Sequence, residues 1–366
     1  MLEIRQLNRQ ALQGYIDAPE FGMGNFLPIT KHRAISHIKN PRVSNTDVLL
    51  LLAYFDGELI GYLGILPDYL YPRGEQAIKI GWLSCLWVSE TARGKGISVQ
   101  LMLEASALYQ NRLLSADFVP ATKRLYDNSG LFEKSSLQKQ GIRLYVRSNL
   151  AQILPPKHVL FRKFESVLSV SDVVINTFIR LRSFKPNISN LKIEEVDLID
   201  NECIHFIHQC SQFSLCRRGP EELHWILQFP WVLSAPEKSD LDKKYYFSST
   251  AKEFSYRALK VKNTDGKLIA FMIFTVMDKN LKLPYLYHNG FIDRVIDVIN
   301  FCIISWQIKT FTVFHPELSQ RLNSSKTAAI LSKPIQRSYM VSKGLKDYFT
   351  KMDNDVSDGD GDCCFT

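Results

Sequence analysis

Leu83-Ser84-Cys85-Leu86-Trp87-Val88-Ser89-Glu90-Thr91-Ala92-Arg93-Gly94-Lys95-Gly96-Ile97-Ser98 is the stretch on which the reading of this chain turns. It opens as an apolar strand, passes through a loop with two glycines, and continues into the amphipathic run Val99–Asn111, which reads as a helix. Such a turn builds an anion site. The first N–H groups of a helix have no intrahelical partner, and the helix dipole adds partial positive charge at the same point. Gly94 and Gly96 let the backbone approach a phosphate and take positive φ, while Arg93 and Lys95 add charge. A glycine pair before a helix is also a common strand–helix connector, so the surrounding pattern has to decide.

Some twenty residues on stands Pro120-Ala121-Thr122-Lys123-Arg124-Leu125-Tyr126-Asp127-Asn128-Ser129-Gly130-Leu131-Phe132. Pro at the first turn and Gly as the cap bound a short helix. The order Val88-x-x-x-x-Arg93-Gly94-Lys95-Gly96-Ile97 resembles motif A of the GNAT N-acetyltransferases, and Leu125-Tyr126 with Gly130 resembles their motif B. The likeness spans most of residues 1–150. It implies that backbone amides of Arg93, Gly94, Lys95, Gly96, Ile97 and Ser98 hold the pyrophosphate of acetyl-CoA, the co-substrate. It also assigns backbone groups near Leu86 and Val88 to the pantetheine arm and thioester. Ser98 stands where the family has Gly or Ala, and Val119 where members often have Asn. Leu131 intervenes before Phe132, where the motif has Phe directly after Gly. In the family the motif B Tyr protonates the departing thiolate, which makes Tyr126 the expected general acid; a buried Tyr on a helix face is the bland alternative. No base stands out: Glu58, Glu75 and Asp117 are available, each with the look of an exposed carboxylate.

The pattern is written twice. Asp56-Gly57 and Asp265-Gly266 each sit between β-rich runs, the strongest short hairpin signal. Around each hairpin the order is strand, helical segment, hairpin, strand, helix, strand, Pro-initiated helix and a closing strand, at Ile142–Arg147 and Arg337–Val341. The expected fold is therefore α/β (α+β): two GNAT-like domains, each a mixed, mostly antiparallel twisted sheet flanked by helices. Residues 1–148 form the acyl-CoA domain, 149–190 a structured linker with a helix over Phe161–Arg182 that packs across both domains, and 191–366 the second copy. That copy is degenerate. His288-Asn289-Gly290-Phe291-Ile292 carries no glycine pair and no cation, and Leu322 falls opposite Tyr126.

Composition agrees with a globular protein: 46% hydrophobic, 22% charged, net +8. The basic balance suits an anionic cofactor, and no Arg-aromatic interleaving points to nucleic acid. The N-terminus lacks a signal peptide pattern, and the longest apolar run, Val48–Phe55, is too short to span a membrane. With seven irregularly spaced cysteines this suggests a cytoplasmic protein. Cys203, His205, His208, Cys210 and Cys216 have zinc-binding types but not zinc spacing, so no metal is expected. Leu223–Trp231 reads as a core helix or a pocket wall. In the acidic tail, Asp360–Asp362 is expected to turn and Cys363–Phe365 to pair as a closing strand.

The function that follows is transfer of an acetyl group from acetyl-CoA to a small-molecule or peptide amine by direct attack. A tandem aminoacyl transferase for cell-wall precursors is the enzymatic alternative, opposed by the Arg-Gly-Lys-Gly loop. A non-catalytic CoA-binding regulator is the other.

Overall fold

The computed structural model describes residues 1–366 apart from 73–74, 117, 135–136, 157, 182–183, 212–213, 351–355 and 366. In chain order the first part runs β1 (Leu2–Asn8), α1 (Arg9–Asp17), α2 (Lys31–Lys39), β2 (Val48–Phe55), β3 (Glu58–Leu70), β4 (Ile78–Val88), α3 (Ile97–Leu108), β5 (Leu113–Ala116), α4 (Pro120–Ser129) and β6 (Leu137–Tyr145). Then come α5 (Leu150–Ile153), α6 (Val159–Lys163) and α7 (Glu165–Leu181). The remainder is β7 (Lys192–Val196), α8 (Asn201–Cys210), α9 (Pro220–Gln228), β8 (Leu233–Ser234), α10 (Asp240–Lys243), β9 (Thr250–Ala251), β10 (Phe254–Lys262), β11 (Leu268–Met277), β12 (Asn280–His288), α11 (Ile292–Ser305), β13 (Thr310–Val313), α12 (Pro316–Ser324), β14 (Leu331–Val341) and α13 (Lys346–Thr350). Among the described residues no helix is long and apolar enough to cross a membrane.

The chain folds as two compact units that cut across its sequential halves. One comprises 1–138, 198–254 and 337–366; the other comprises 139–197 and 255–336. The reason is an exchange of closing strands. In the first unit β5 is followed not by β6 but by the end of β14, with Tyr339, Met340 and Val341 antiparallel to Ala116, Ser115 and Leu114. In the second, β6 lies against β13, with Ile142–Tyr145 antiparallel to Thr310–Val313. Each unit otherwise repeats one plan: an antiparallel meander leading into a strand that pairs in parallel with the next, β4 with β5 and β12 with β13.

The two hairpins differ locally. Asp56 and Gly57 both have positive φ, 48° and 85°, which is the twist-matched type I′ turn. At the second, only Gly266 is left-handed (φ 76°), and Asn263 closes a longer loop by accepting from Gly266 N and donating to Lys267 O.

In the first unit one face of the sheet packs Leu51, Leu63, Leu83, Leu101, Met102 and Tyr126 beneath α3 and α4. The other packs Leu12, Ile29, Ala34, Leu50, Tyr62 and Trp87 against α1 and α2. Residues 198–254 complete this second face through a buried charge network. Asp68 on β3 accepts from Arg218 at 2.6 and 3.1 Å and from Arg42, and Arg42 also donates to Glu222 at 2.8 Å. Burial alone would raise the Asp68 carboxyl, but Arg218 and Arg42 outweigh it and hold it below the ordinary carboxylate value. The tail joins the same network, with Asp360 Oδ1 3.6 Å from Arg218 Nε.

Beyond Asp360 the tail departs from the expected strand. Residues 358–362 turn as anticipated, but Cys363–Phe365 form a 3-10 turn in which Phe365 N donates to Asp362 O at 3.1 Å. The burial holds without the strand. Phe365 is fully buried, stacked on Trp231 at 4.4 Å and edge-on to Trp225 at 5.1 Å. Aromatic stacking anchors the segment, and Tyr339–Val341 at the end of β14 are already paired with β5. The linker helix is also modified: α6 and α7 are separated at Phe164, and Arg182 lies outside the described residues.

Candidate functional site

β4 and β5 share only three paired positions, Gly81–Leu83 with Leu113–Ser115. Past Leu83 the strands separate, because β4 bulges: its register against β3 shifts between Tyr62 and Gly64, and Cys85 takes a positive φ of 55°. Ser89 N donates to Ile60 O of β3 at 2.8 Å. By strand alternation the amides of Val88 and Leu86 point to the opposite edge, where β5 no longer runs. The Leu86 and Val88 side chains meanwhile pack on the core under α3.

The strand then passes through a 3-10 turn, Glu90–Ala92, into the glycine loop. Gly94 and Gly96 are both left-handed, at φ 79° and 78°, and a Cβ built on either meets nothing within 4 Å. Arg93 N and Lys95 N are spent on the turn, bonded to Glu90 O and Ala92 O at 3.3 Å each. Among the described residues no protein acceptor meets the N–H groups of Gly94, Gly96, Ile97 or Ser98. The Arg93 side chain is exposed and only loosely paired with Glu90 at 3.4 Å. Ile97 is buried and anchors the helix start, lying beside Gly61 of β3. Open donors, left-handed glycines and two cations therefore converge at one end of the gap between β4 and β5.

Tyr126 reaches the same strand pair from α4, whose cap Gly130 is left-handed at φ 74°. It is buried (2% exposed), with its hydroxyl 2.9 Å from Ser115 Oγ on β5 and its ring against Phe132 at 4.7 Å. Burial pushes the phenol up to about 12, the Ser115 hydrogen bond opposing and the Asp362 charge adding. Val119, at the position noted above for its departure from the family, is the exposed N-cap of α4. Of the three carboxylates weighed as bases, Glu58 and Glu75 are exposed, and Asp117 lies outside the described residues.

One cluster escaped the sequence. Arg33 on α2 is buried and donates to Ser84 Oγ, to Cys85 Sγ at 2.5 Å, to Tyr245 OH at 2.7 Å and to His37 Nε2 at 3.4 Å, with its guanidinium 3.8 Å from the Trp231 ring centroid. Ser84 and Cys85 are the residues at which β4 leaves β5, so this arginine braces the kink that opens the strands. Burial and the Arg33 charge hold His37 well below the ordinary imidazole value, so it stays neutral. Among the described residues no carboxylate comes within 4.0 Å of Arg33; its bonded partners are two hydroxyls, a thiol and an imidazole, and the Asp362 charge acts on it from farther away. Lys31-His32-Arg33 reads in sequence as a solvated helix start, and the one available hint was the four-residue spacing that puts Arg33 and His37 on one face.

The sequence of residues 18–130 matches the model of the Acetyltransferase (GNAT) family. That stretch therefore carries the sequence pattern of the family. No curated protein matches the chain by sequence. Among solved structures, a GCN5-related N-acetyltransferase from Anabaena variabilis superposes with a TM-score of 0.51 at 14% identity, over 93% of this chain and 72% of that one. A probable N-acyltransferase from Enterococcus faecalis gives 0.52 at 12%, over 93% and 72%. Saccharomyces cerevisiae N-myristoyltransferase with bound myristoyl-CoA gives 0.53 at 11%, over 93% and 78%. At such identities the likeness is one of fold. The chain thus has the GNAT fold, and the stretch matched by the family model contains both the glycine loop and the split between β4 and β5.

Proposed function

We propose that the protein is an acyl-CoA-dependent N-acyltransferase that moves an acetyl group from acetyl-CoA to an amine in a ternary complex. The observation that carries this reading is the cluster of open N–H donors at Gly94, Gly96, Ile97 and Ser98 beside the split strands. The loop would hold the CoA pyrophosphate, with Arg93 and Lys95 supplying charge, and the pantetheine arm would run along β4 past Val88. An N–H of Leu86 or Val88 aimed at the thioester oxygen would stabilise the oxyanion as the amine attacks. When the C–S bond breaks, Tyr126 would give its proton to the CoA sulfur. Its raised value keeps the hydroxyl protonated up to the moment the sulfur leaves. Ser115 fixes the direction of the hydroxyl.

The second unit has the strand split without the loop. At the corresponding turn, residues 288–292, only Gly290 is left-handed, exposed Phe291 is the N-cap of α11, and in sequence order buried Leu322 falls opposite Tyr126. We assign it no acyl-CoA. The test is release of free thiol from acetyl-CoA across a panel of amines: turnover with at least one supports the transferase, and binding without turnover against every amine class supports a regulatory CoA binder instead.

A further inference from the structure

A cavity of about 620 Å³ lies within the second unit, lined by the end of β6, α7, the C-terminal turn of α11 and the segment 325–330. Part of its wall is aliphatic, with Val146, Ile179, Ile303 and Ala329. Among the described residues the ionisable ones that line it are both cations, Arg147 and Lys326. Neither side chain has an ion-pair or hydrogen-bond partner among the described residues. Asn176, also in the wall, is committed: it donates to Ser148 O at 3.0 Å and accepts from Ser148 N at 2.8 Å. The 325–330 segment is held in place from behind. Buried Asn300 accepts from Ala328 N at 2.9 Å, and Ile330 N donates to Tyr145 O at 2.8 Å. The space is thus formed before any ligand arrives, and its volume is that of a small-molecule site rather than a packing void.

We propose that this cavity binds an amphipathic carboxylate, an aliphatic chain lying on the isoleucine and alanine wall with its anionic head between Arg147 and Lys326. An anionic head gives these cations a partner that the described residues do not supply. The place is separate from any remnant of a cofactor site. That remnant would sit at the N-terminal end of α11, near Gly290, whereas the cavity meets Ile303 and Ile304 at the other end, roughly 20 Å away for a helix rising about 1.5 Å per residue.

The experiment is calorimetric titration of the full-length protein with dodecanoate below its micelle concentration, with dodecanol as the uncharged twin. Saturable binding of one dodecanoate per chain is expected, with dodecanol at least tenfold weaker. The double variant Arg147→Gln/Lys326→Gln should bind dodecanoate at least tenfold more weakly, and Ala329→Phe should fill the wall and remove binding. The double variant changes part-exposed side chains and keeps the fold, so its result decides even if Ala329→Phe fails to fold. Absence of saturable binding, equal affinity for dodecanol, or unchanged affinity in the double variant would overturn the assignment.

Discussion

Gly96 and Gly57 offer a matched pair for testing the anion loop. Both are left-handed, at φ +78° and +85°, and at both a Cβ would meet nothing within 4 Å. Alanine at either position therefore carries the same strain, about 1–2 kcal/mol for an L-residue held in this region, and no clash. The two differ in what approaches them. Gly57 turns the β2–β3 hairpin, whereas Gly96 is the N-cap of α3, over which a pyrophosphate has to settle. A methyl group there would hold the phosphate away from the Ile97 and Ser98 amides and weaken one charge-assisted hydrogen bond or more, about 1.5–3 kcal/mol. That amounts to a loss of acetyl-CoA affinity of roughly ten- to a hundredfold. Thermal melting should show similar destabilisation in Gly96→Ala and Gly57→Ala, while calorimetry with acetyl-CoA should show weakened binding in Gly96→Ala alone. Equal affinities in the two variants would refute the reasoning, because strain would then be the only thing the loop glycine avoids.

Three other outcomes follow from the same structure. Tyr126→Phe should lower turnover about a hundredfold with little change in acetyl-CoA affinity, and because burial holds the phenol at about 12, Tyr126 should contribute no alkaline fall in rate below about pH 11. Asp68→Asn should cost about 3–5 kcal/mol in urea denaturation at pH 7, since it leaves Arg42 and Arg218 buried without their shared partner; Asp68 is held below its unfolded value, so its contribution is complete above about pH 4 and disappears as pH falls through the folded value, narrowing the gap between variant and wild type. Phe365→Ala should cost about 3–5 kcal/mol and lower the melting temperature of the first unit by roughly 10 °C, whereas an unchanged melt would mean that the Trp231 stack adds nothing.

The parts of this fold that were legible in sequence are those set by local chemistry. The Asp56-Gly57 turn, the Pro120 helix start, the Gly130 cap and the glycine loop each follow from what a few adjacent residues can do with φ and with hydrogen bonds. The strand exchange was not legible. β6 and β14 carry ordinary strand patterns, and nothing within either segment says that β6 pairs with distant β13, and β14 with distant β5, rather than with the strand nearer in the chain. The tail shows the same limit from the other side. Its apolar end reads as a closing strand, but the choice between ladder pairing and stacking rested on Trp225 and Trp231, more than a hundred residues upstream. Arg33 is the clearest case at the site, because a buried cation satisfied by a thiol and two hydroxyls leaves no trace in a sequence that pairs charges with charges.

Hydrogen exchange of the full-length protein with and without acetyl-CoA tests the central claim most directly, because it reads the amides themselves. Protection is predicted at Leu86, Val88 and across residues 94–98, with residues 288–292 of the second unit unchanged. Protection confined to 288–292, or none at 94–98 with acetyl-CoA bound, would contradict the assignment of the cofactor to the glycine loop.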